Sequence, residues 1–188
     1  KHLHLIFLIL AIVNESKNND EWLNQAVYVA SVNSQDLPNL KSGAKKKNLK
    51  SINTFGGSVK TSFKDIEALV AGKTLTRELT ITPPNQLTPT IYRQKIKKLS
   101  KENGWKLEEF AMPKLKKLGA GAFYAVAQGS EPQDAAIVHL IYSPKGAKDT
   151  ISLVGKGICF DTGGHNLKPA KFMSGMHEDM NGSAVVLG

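Results

Sequence analysis

The sequence has a single cysteine, only two arginines (Arg77 and Arg93), and no apolar run of membrane-spanning length. Each shortage excludes something. One cysteine rules out a disulfide framework within the chain and accords with a reducing cytosol. Cys159 lies between Ile158 and Phe160, an apolar setting that suits a buried structural thiol rather than a nucleophile. The formal net charge of +9 invites a nucleic-acid reading. Nearly all of that charge is lysine, however, and arginine is the residue that reads base edges and grips phosphates in a bidentate fork. A scattered, lysine-rich solvated surface is the expectation, with one short run at Lys45, Lys46 and Lys47. No nucleic-acid partner is expected. The stretch from Leu5 to Val13 is far too short to span a bilayer as a helix, so no membrane association is expected either. A basic start before such a run also resembles the core of a secretion signal, but no small-x-small cleavage site follows it. A buried strand or a fragment boundary is the preferred reading of Lys1 to Val13.

What remains is an ordinary globular composition. The 188 residues are 41% hydrophobic and 22% charged, enough for one sizeable core or two small ones. From Asn14 to Thr61 the patterning is weak, with no internal repeat, and Ala26 to Val32 reads as a strand. From Phe63 it sharpens. Phe63, Ile66, Leu69, Val70, Leu75 and Leu79 recur at helical spacing, interrupted by Gly72 and ended by Pro83-Pro84. Thr88-Pro89 is a cap followed by a first-turn proline, and Asn103-Gly104 a stop. The helix between them is expected to bury Ile91, Ile96 and Leu99. Beyond it, strands are predicted over 105–110, 135–142 and 150–154, a short helix over 113–118, and turns at Gly119-Ala-Gly121 and Gly129-Ser130. The near-continuous apolar strands predict burial on both faces of a helix-covered sheet. The fold class is therefore α/β. The expected organisation is a partial N-terminal region (1–62), a linker helix (63–82) and the first part of a catalytic domain (83–188).

The residues that carry chemistry lie between Val154 and Gly188. Glycines at 155, 157, 163 and 164 surround Lys156 and Asp161, with Lys168 and Asp179 beyond. Two carboxylates and two lysines on glycine-rich loops after strands is where α/β proteins tend to place active sites. Two familiar motifs fail here. Gly155-Lys156-Gly157 lacks the four-residue spacing and following hydroxyl residue of a phosphate-binding P-loop. His177-Glu178 opens a zinc-protease His-Glu-x-x-His motif, but Asn181 stands where the second histidine belongs.

The order Lys156 to Gly164, Lys168-Pro169 and Asp179-Met180 resembles the signature region of the leucyl (cytosol) aminopeptidase family. Arg77-Glu78-Leu79, Pro83 to Pro89 and Gly119 to Ser130 are similar to segments of that family further upstream, so the likeness covers roughly residues 68 to 188. The resemblance implies an α/β/α sandwich catalytic domain with a mixed sheet, represented here by its first portion. It also implies a cytoplasmic enzyme that uses two divalent ions, Zn2+ or Mn2+, to remove N-terminal leucine and other apolar residues from peptides. Lys156, as a neutral amine, Asp161 and Asp179 are the implied metal ligands, with Asp161 bridging. Lys168 is the implied catalytic group that steadies the oxyanion. Met176, with Met173 near it, lines the implied substrate pocket, while His165 and His177 match no ligand. A homo-hexamer is implied for the complete enzyme. So are two further acidic ligands in a downstream Asn-Thr-Asp-Ala-Glu-Gly-Arg segment, whose arginine holds a bicarbonate. That segment does not occur in these 188 residues. They are accordingly expected to be a fragment or truncated product without peptidase activity of its own. The rival expectations are a non-catalytic binding module and a basic nucleic-acid binder.

Overall fold

The computed structural model describes residues 8–15, 20–43, 49–56 and 63–188. The lysine run at 45–47 and the start of the chain through residue 7 lie outside these. The order of elements is β1 (Leu8–Val13), α1 (Asp20–Ser34), β2 (Leu49–Phe55), α2 (Lys64–Ile81), α3 (Pro89–Glu102), β3 (Lys106–Ala111), α4 (Met112–Lys117), α5 (Gly121–Ala127), β4 (Ala136–Ile141), α6 (Ala170–Met173), a 3-10 turn (Met176–Glu178) and α7 (Asn181–Leu187). The architecture is α/β, as expected. Among the described residues no helix is long and apolar enough to cross a membrane.

The chain divides into two compact units. The first contains the described residues up to Ile81 together with Ala184–Gly188. In it β1 and β2 pair in parallel, with Leu10 beside Ile52 and Ile12 beside Thr54, and α1 crosses between them. Ile12, Leu23, Val27, Ile66 and Val70 form its core. β1 alternates: Ile12 is buried while Ile9 and Val13 are exposed, the signature of a strand with one wet face. The predicted strand at 26–32 is instead the middle of α1. Ala26-Val-Tyr-Val-Ala has β-type composition, but the buried positions Leu23 and Val27 are four apart, and Asp20 and Glu21 complement the helix N-terminus. The helical period prevails over the β-branched composition. α1 carries no basic residue in its last turn; Arg77 of α2 supplies one, donating from Nη1 to the Val32 carbonyl at 2.8 Å. Gly72 does not interrupt α2, which runs through it to Ile81.

The second unit, Thr82–Ser183, is built on α3 and the antiparallel pair β3–β4. Thr88 caps α3, its Oγ1 accepting from the Ile91 amide at 3.4 Å. Asp134 adds a second cap, accepting at Oδ2 from the Thr90 amide (2.9 Å) and hydroxyl (2.7 Å). The buried stripe is Tyr92, Ile96 and Ser100, with Ile91 and Leu99 flanking it at intermediate depth. The helix closes at Asn103-Gly104: the Gly104 amide reaches Lys101 and the Trp105 amide reaches Ser100, a Schellman stop. α4 stops in the same way through Gly119 and Ala120. Past Gly119 the expected turn becomes the helix α5 from Gly121.

Two strand expectations are corrected. β4 is not buried on both faces, since Ile137 and His139 are exposed; among the described residues it pairs only with β3, and its burial alternates. Residues 150–154 form no strand, and Ile151, Leu153 and Val154 are 85%, 68% and 95% exposed. A strand needs a ladder partner for its amides and carbonyls, and among the described residues none lies beside this segment.

Candidate active site

Four side chains singled out in the sequence meet in the second unit as two ion pairs. Lys156 Nζ pairs with Asp179 Oδ2, and Lys168 Nζ lies 2.8 Å from Asp161 Oδ2. Each lysine also reaches backbone: Lys156 Nζ donates to the Asp179 carbonyl at 3.4 Å and Lys168 Nζ to the Asp161 carbonyl at 3.1 Å.

The loop from Asp161 to Lys168 explains how Lys168 returns to Asp161. Asp161 Oδ1 accepts from the Gly163 amide at 2.8 Å, and the Lys168 amide donates to the Thr162 carbonyl at 2.9 Å. The first is a turn in which the carboxylate mimics a backbone acceptor. Gly163, at φ +90°, sits where a Cβ would lie 2.5 Å from the Asn166 carbonyl oxygen, so only glycine lets the loop close. The Lys168 ammonium, hydrogen-bonded to the Asp161 carboxylate, holds it below the usual carboxylate range. The Gly163 amide and the charge of Lys156 lower it further, against a smaller opposing effect of burial.

Met176 belongs to this cluster: its sulfur lies 3.5 Å from Lys168 Nζ, at the start of the 3-10 turn that leads to Asp179. Met173, at the end of α6, is half-buried. His165 is exposed, and His177 lies 3.8 Å from Glu178 rather than beside the two aspartates. Cys159, buried close by in sequence, has its thiol pushed up to about 11 by burial and by the nearby Asp134 charge. It is protonated at neutral pH and a poor nucleophile.

Carboxylate oxygens and a lysine amine suit a divalent ion that accepts both oxygen and nitrogen donors. The amine coordinates only after losing its proton, and in the present arrangement both lysines act as cationic partners of the carboxylates. Among the described residues no group of three or more His, Cys, Asp and Glu converges. The donor types fit a metal, and their number makes up part of a coordination sphere.

One connection had no signal in the sequence. Tyr92 of α3 and Ser183 of α7, 91 positions apart, hydrogen-bond through their hydroxyls at 3.0 Å. Ser183 also touches the backbone of Lys156 and Met180. Only tertiary structure brings these together.

The model of the cytosol aminopeptidase family, catalytic domain, matches residues 74–188. A probable cytosol aminopeptidase of Acidobacterium capsulatum is 43% identical over 123 residues, which are 64% of this chain and 24% of the relative. The chain thus spans about a quarter of the length of the curated relatives it matches. Among solved structures, leucyl aminopeptidase from Trypanosoma brucei in complex with actinonin superposes with a TM-score of 0.81 at 27% identity, over 95% of this chain and 35% of that one. The bottromycin maturation enzyme BotP in complex with Mn superposes with a TM-score of 0.74 at 25% identity, over 95% of this chain and 38% of that one.

Proposed function

The chain belongs to the cytosol aminopeptidase family, and from that premise we propose that it carries part of the site at which a metal-dependent peptidase releases N-terminal residues from peptides. The observation that supports this reading is the convergence of Lys156, Asp161, Lys168 and Asp179 on two adjacent ion pairs within the matched region. Lys156, Asp161 and Asp179 would hold two divalent ions, Zn2+ or Mn2+. When bound, such ions supply Lewis acidity and lower the pKa of water toward neutrality. The residues of the chain do the rest. Lys168, already held in place by Asp161, presents a cation to the carbonyl oxygen on which negative charge develops. Met176, against Lys168, and Met173 form an apolar wall for a leucine-like first side chain.

The whole protein's properties are part of the same proposal: a cytoplasmic homo-hexamer acting on peptides, with bicarbonate as a helper in the complete site. Two carboxylates and one lysine amine are few donors for two ions. We therefore propose that these 188 residues alone do not hydrolyse peptides. The test is hydrolysis of a leucine anilide by the full-length protein loaded with Mn2+ or Zn2+. Activity should disappear with a chelator, return with metal, and fall about 100-fold in Lys168→Ala, the scale for losing one oxyanion donor. Absence of hydrolysis by the metal-loaded full-length protein would overturn the reading.

A further inference from the structure

We propose that Tyr92 and Ser183 are positioning residues: together they form a clasp that sets the spacing between Lys156 and Asp179. The inference rests on the functional reading above for its purpose, but its geometry stands independently.

Lys156 and Asp179 sit on separate segments, and the Lys156 side chain is long enough and exposed enough to swing away from its partner. The Lys156 side chain is 53% exposed and that of Asp179 22%. An ion pair of this exposure contributes little by itself to holding two loops together. Something else must fix their backbones, and Ser183 touches the backbone of Lys156 and of Met180, the residue after Asp179. Its amide donates to the Lys156 carbonyl at 2.8 Å, and also lies 3.1 Å from the Met180 carbonyl. Its hydroxyl donates to that same Met180 carbonyl at 2.7 Å. Met180 directly follows Asp179 and is fully buried. One serine therefore anchors the residue that carries the amine and the residue that follows the carboxylate.

The serine is itself held. A hydroxyl has one proton, and Ser183 gives its proton to Met180. The hydrogen bond at 3.0 Å to Tyr92 must then run from the phenol to Ser183 Oγ. Tyr92 is only 6% exposed. A phenol buried to that degree costs stability unless its hydroxyl is bonded, and Ser183 is the partner it has. Burial raises the phenol pKa, so at neutral pH Tyr92 keeps the proton it donates.

Close backbone approach makes the clasp rigid. A Cβ on Gly155 would lie 2.5 Å from both the Gly182 carbonyl oxygen and the Ser183 Cα, and one on Gly182 would lie 3.0 Å from the Lys156 amide nitrogen. The strip through Lys156 and the first turn of α7 therefore meet with no room for side chains between them. The order of contacts runs from Tyr92 on α3, a helix fixed by two caps, through Ser183 to the paired Lys156 and Asp179.

The experiment uses the full-length protein and the variants Tyr92→Phe, Ser183→Ala and the double variant. In the metal-free protein, the acetylation rate of Lys156 relative to the exposed Lys148 is measured by mass spectrometry. Mn2+ affinity is then measured by calorimetry, and stability by urea denaturation. Tyr92→Phe loses one neutral hydrogen bond and should raise the Lys156 rate by about two- to tenfold; Ser183→Ala also loses the bond to the Met180 carbonyl and should raise it at least as much. The double variant should go no further than Ser183→Ala, because that substitution already removes the link that Tyr92→Phe breaks. Mn2+ binding should weaken by a similar factor. A fall in the urea midpoint with Lys156 acetylation and Mn2+ affinity unchanged would mean that the pair merely packs, and would overturn the proposal. Faster Lys156 acetylation with Mn2+ affinity unmoved, both in the clasp variants and in Asp179→Asn, would uphold the clasp and overturn the metal-site reading instead.

Discussion

The stretch from Thr88 to Ile141 and the stretch from Ile151 to Ser183 lie in the same compact unit but are held by different means. The first is a framework of capped helices and a paired hairpin: Thr88 and Asp134 at one end of α3, Schellman stops after α3 and α4, and β3 in register with β4. Its interior side chains, Tyr92, Ile96, Met112 and Leu115, are buried. The second has two short helical turns, no ladder, and Ile151, Leu153 and Val154 in the open. What organises it is a set of point contacts: two Lys–Asp pairs, a carboxylate turn at Gly163 and the Ser183 clasp. The framework's stability is spread over buried area, whereas the site segment depends on a few polar contacts. Local opening concentrates where buried apolar contacts are few, so substitutions in the two stretches should affect different measurements.

The largest effect on stability is expected in the framework. Leu115 is 2% exposed, and Leu115→Ala should cost about 2–4 kcal/mol by transfer and cavity terms together, read as a shift in the urea midpoint. Asp161→Ala in the site segment should shift that midpoint by no more than about 1 kcal/mol, as for an exposed pair, while speeding hydrogen exchange of the Gly163 amide, which loses its side-chain acceptor. Equal losses from the two substitutions would break the contrast.

A smaller effect is expected at the helix start. Thr88→Ala removes a side-chain acceptor from Ile91 and should cost about 0.5–1 kcal/mol, toward the low end because Asp134 still caps Thr90. A loss above that range would mean that Asp134 depends on Thr88.

The smallest expected effect is a pH dependence. The Arg93 guanidinium, bonded to both Glu109 oxygens at 2.9 and 3.1 Å, lowers the Glu109 pKa. In the window between the lowered folded value and the ordinary one of about 4.3, the unfolded chain binds more protons than the folded one, so stability rises with pH. The contribution is fully present above the ordinary value and is lost as pH falls through the folded one. Glu109→Gln should flatten that part of the stability profile and leave the profile above pH 6 parallel to that of the parent. An unchanged slope below pH 4.5 would contradict the assignment.

The same contrast explains what could be read from the sequence. α3 was legible end to end because a threonine cap, a first-turn proline and an Asn-Gly stop act within a few residues. The short helix at 113–118 and the strands at 105–110 and 135–142 were legible from local patterning as well. Residues 26–32 were misread because Val, Tyr and Val favour strands locally, whereas burial every fourth position decides for α1. Residues 150–154 were misread because a near-continuous apolar run makes a strand only where a partner completes the ladder. Lys156, Asp161, Lys168 and Asp179 were singled out through family resemblance, since each residue alone is ordinary, and the structure brings them together as two ion pairs. Tyr92 and Ser183 were not legible: a link between positions 91 apart leaves no mark in either local sequence.

The central claim is that Lys156, Asp161 and Asp179 form part of a divalent-metal site. Anomalous X-ray diffraction from crystals of the full-length protein soaked in Mn2+ tests it most directly. The account predicts a manganese peak in contact with Asp161 and Asp179 carboxylate oxygens, with the Lys156 amine turned from its ion pair toward the metal. Manganese bound elsewhere, with both lysines still paired to their aspartates, would contradict it.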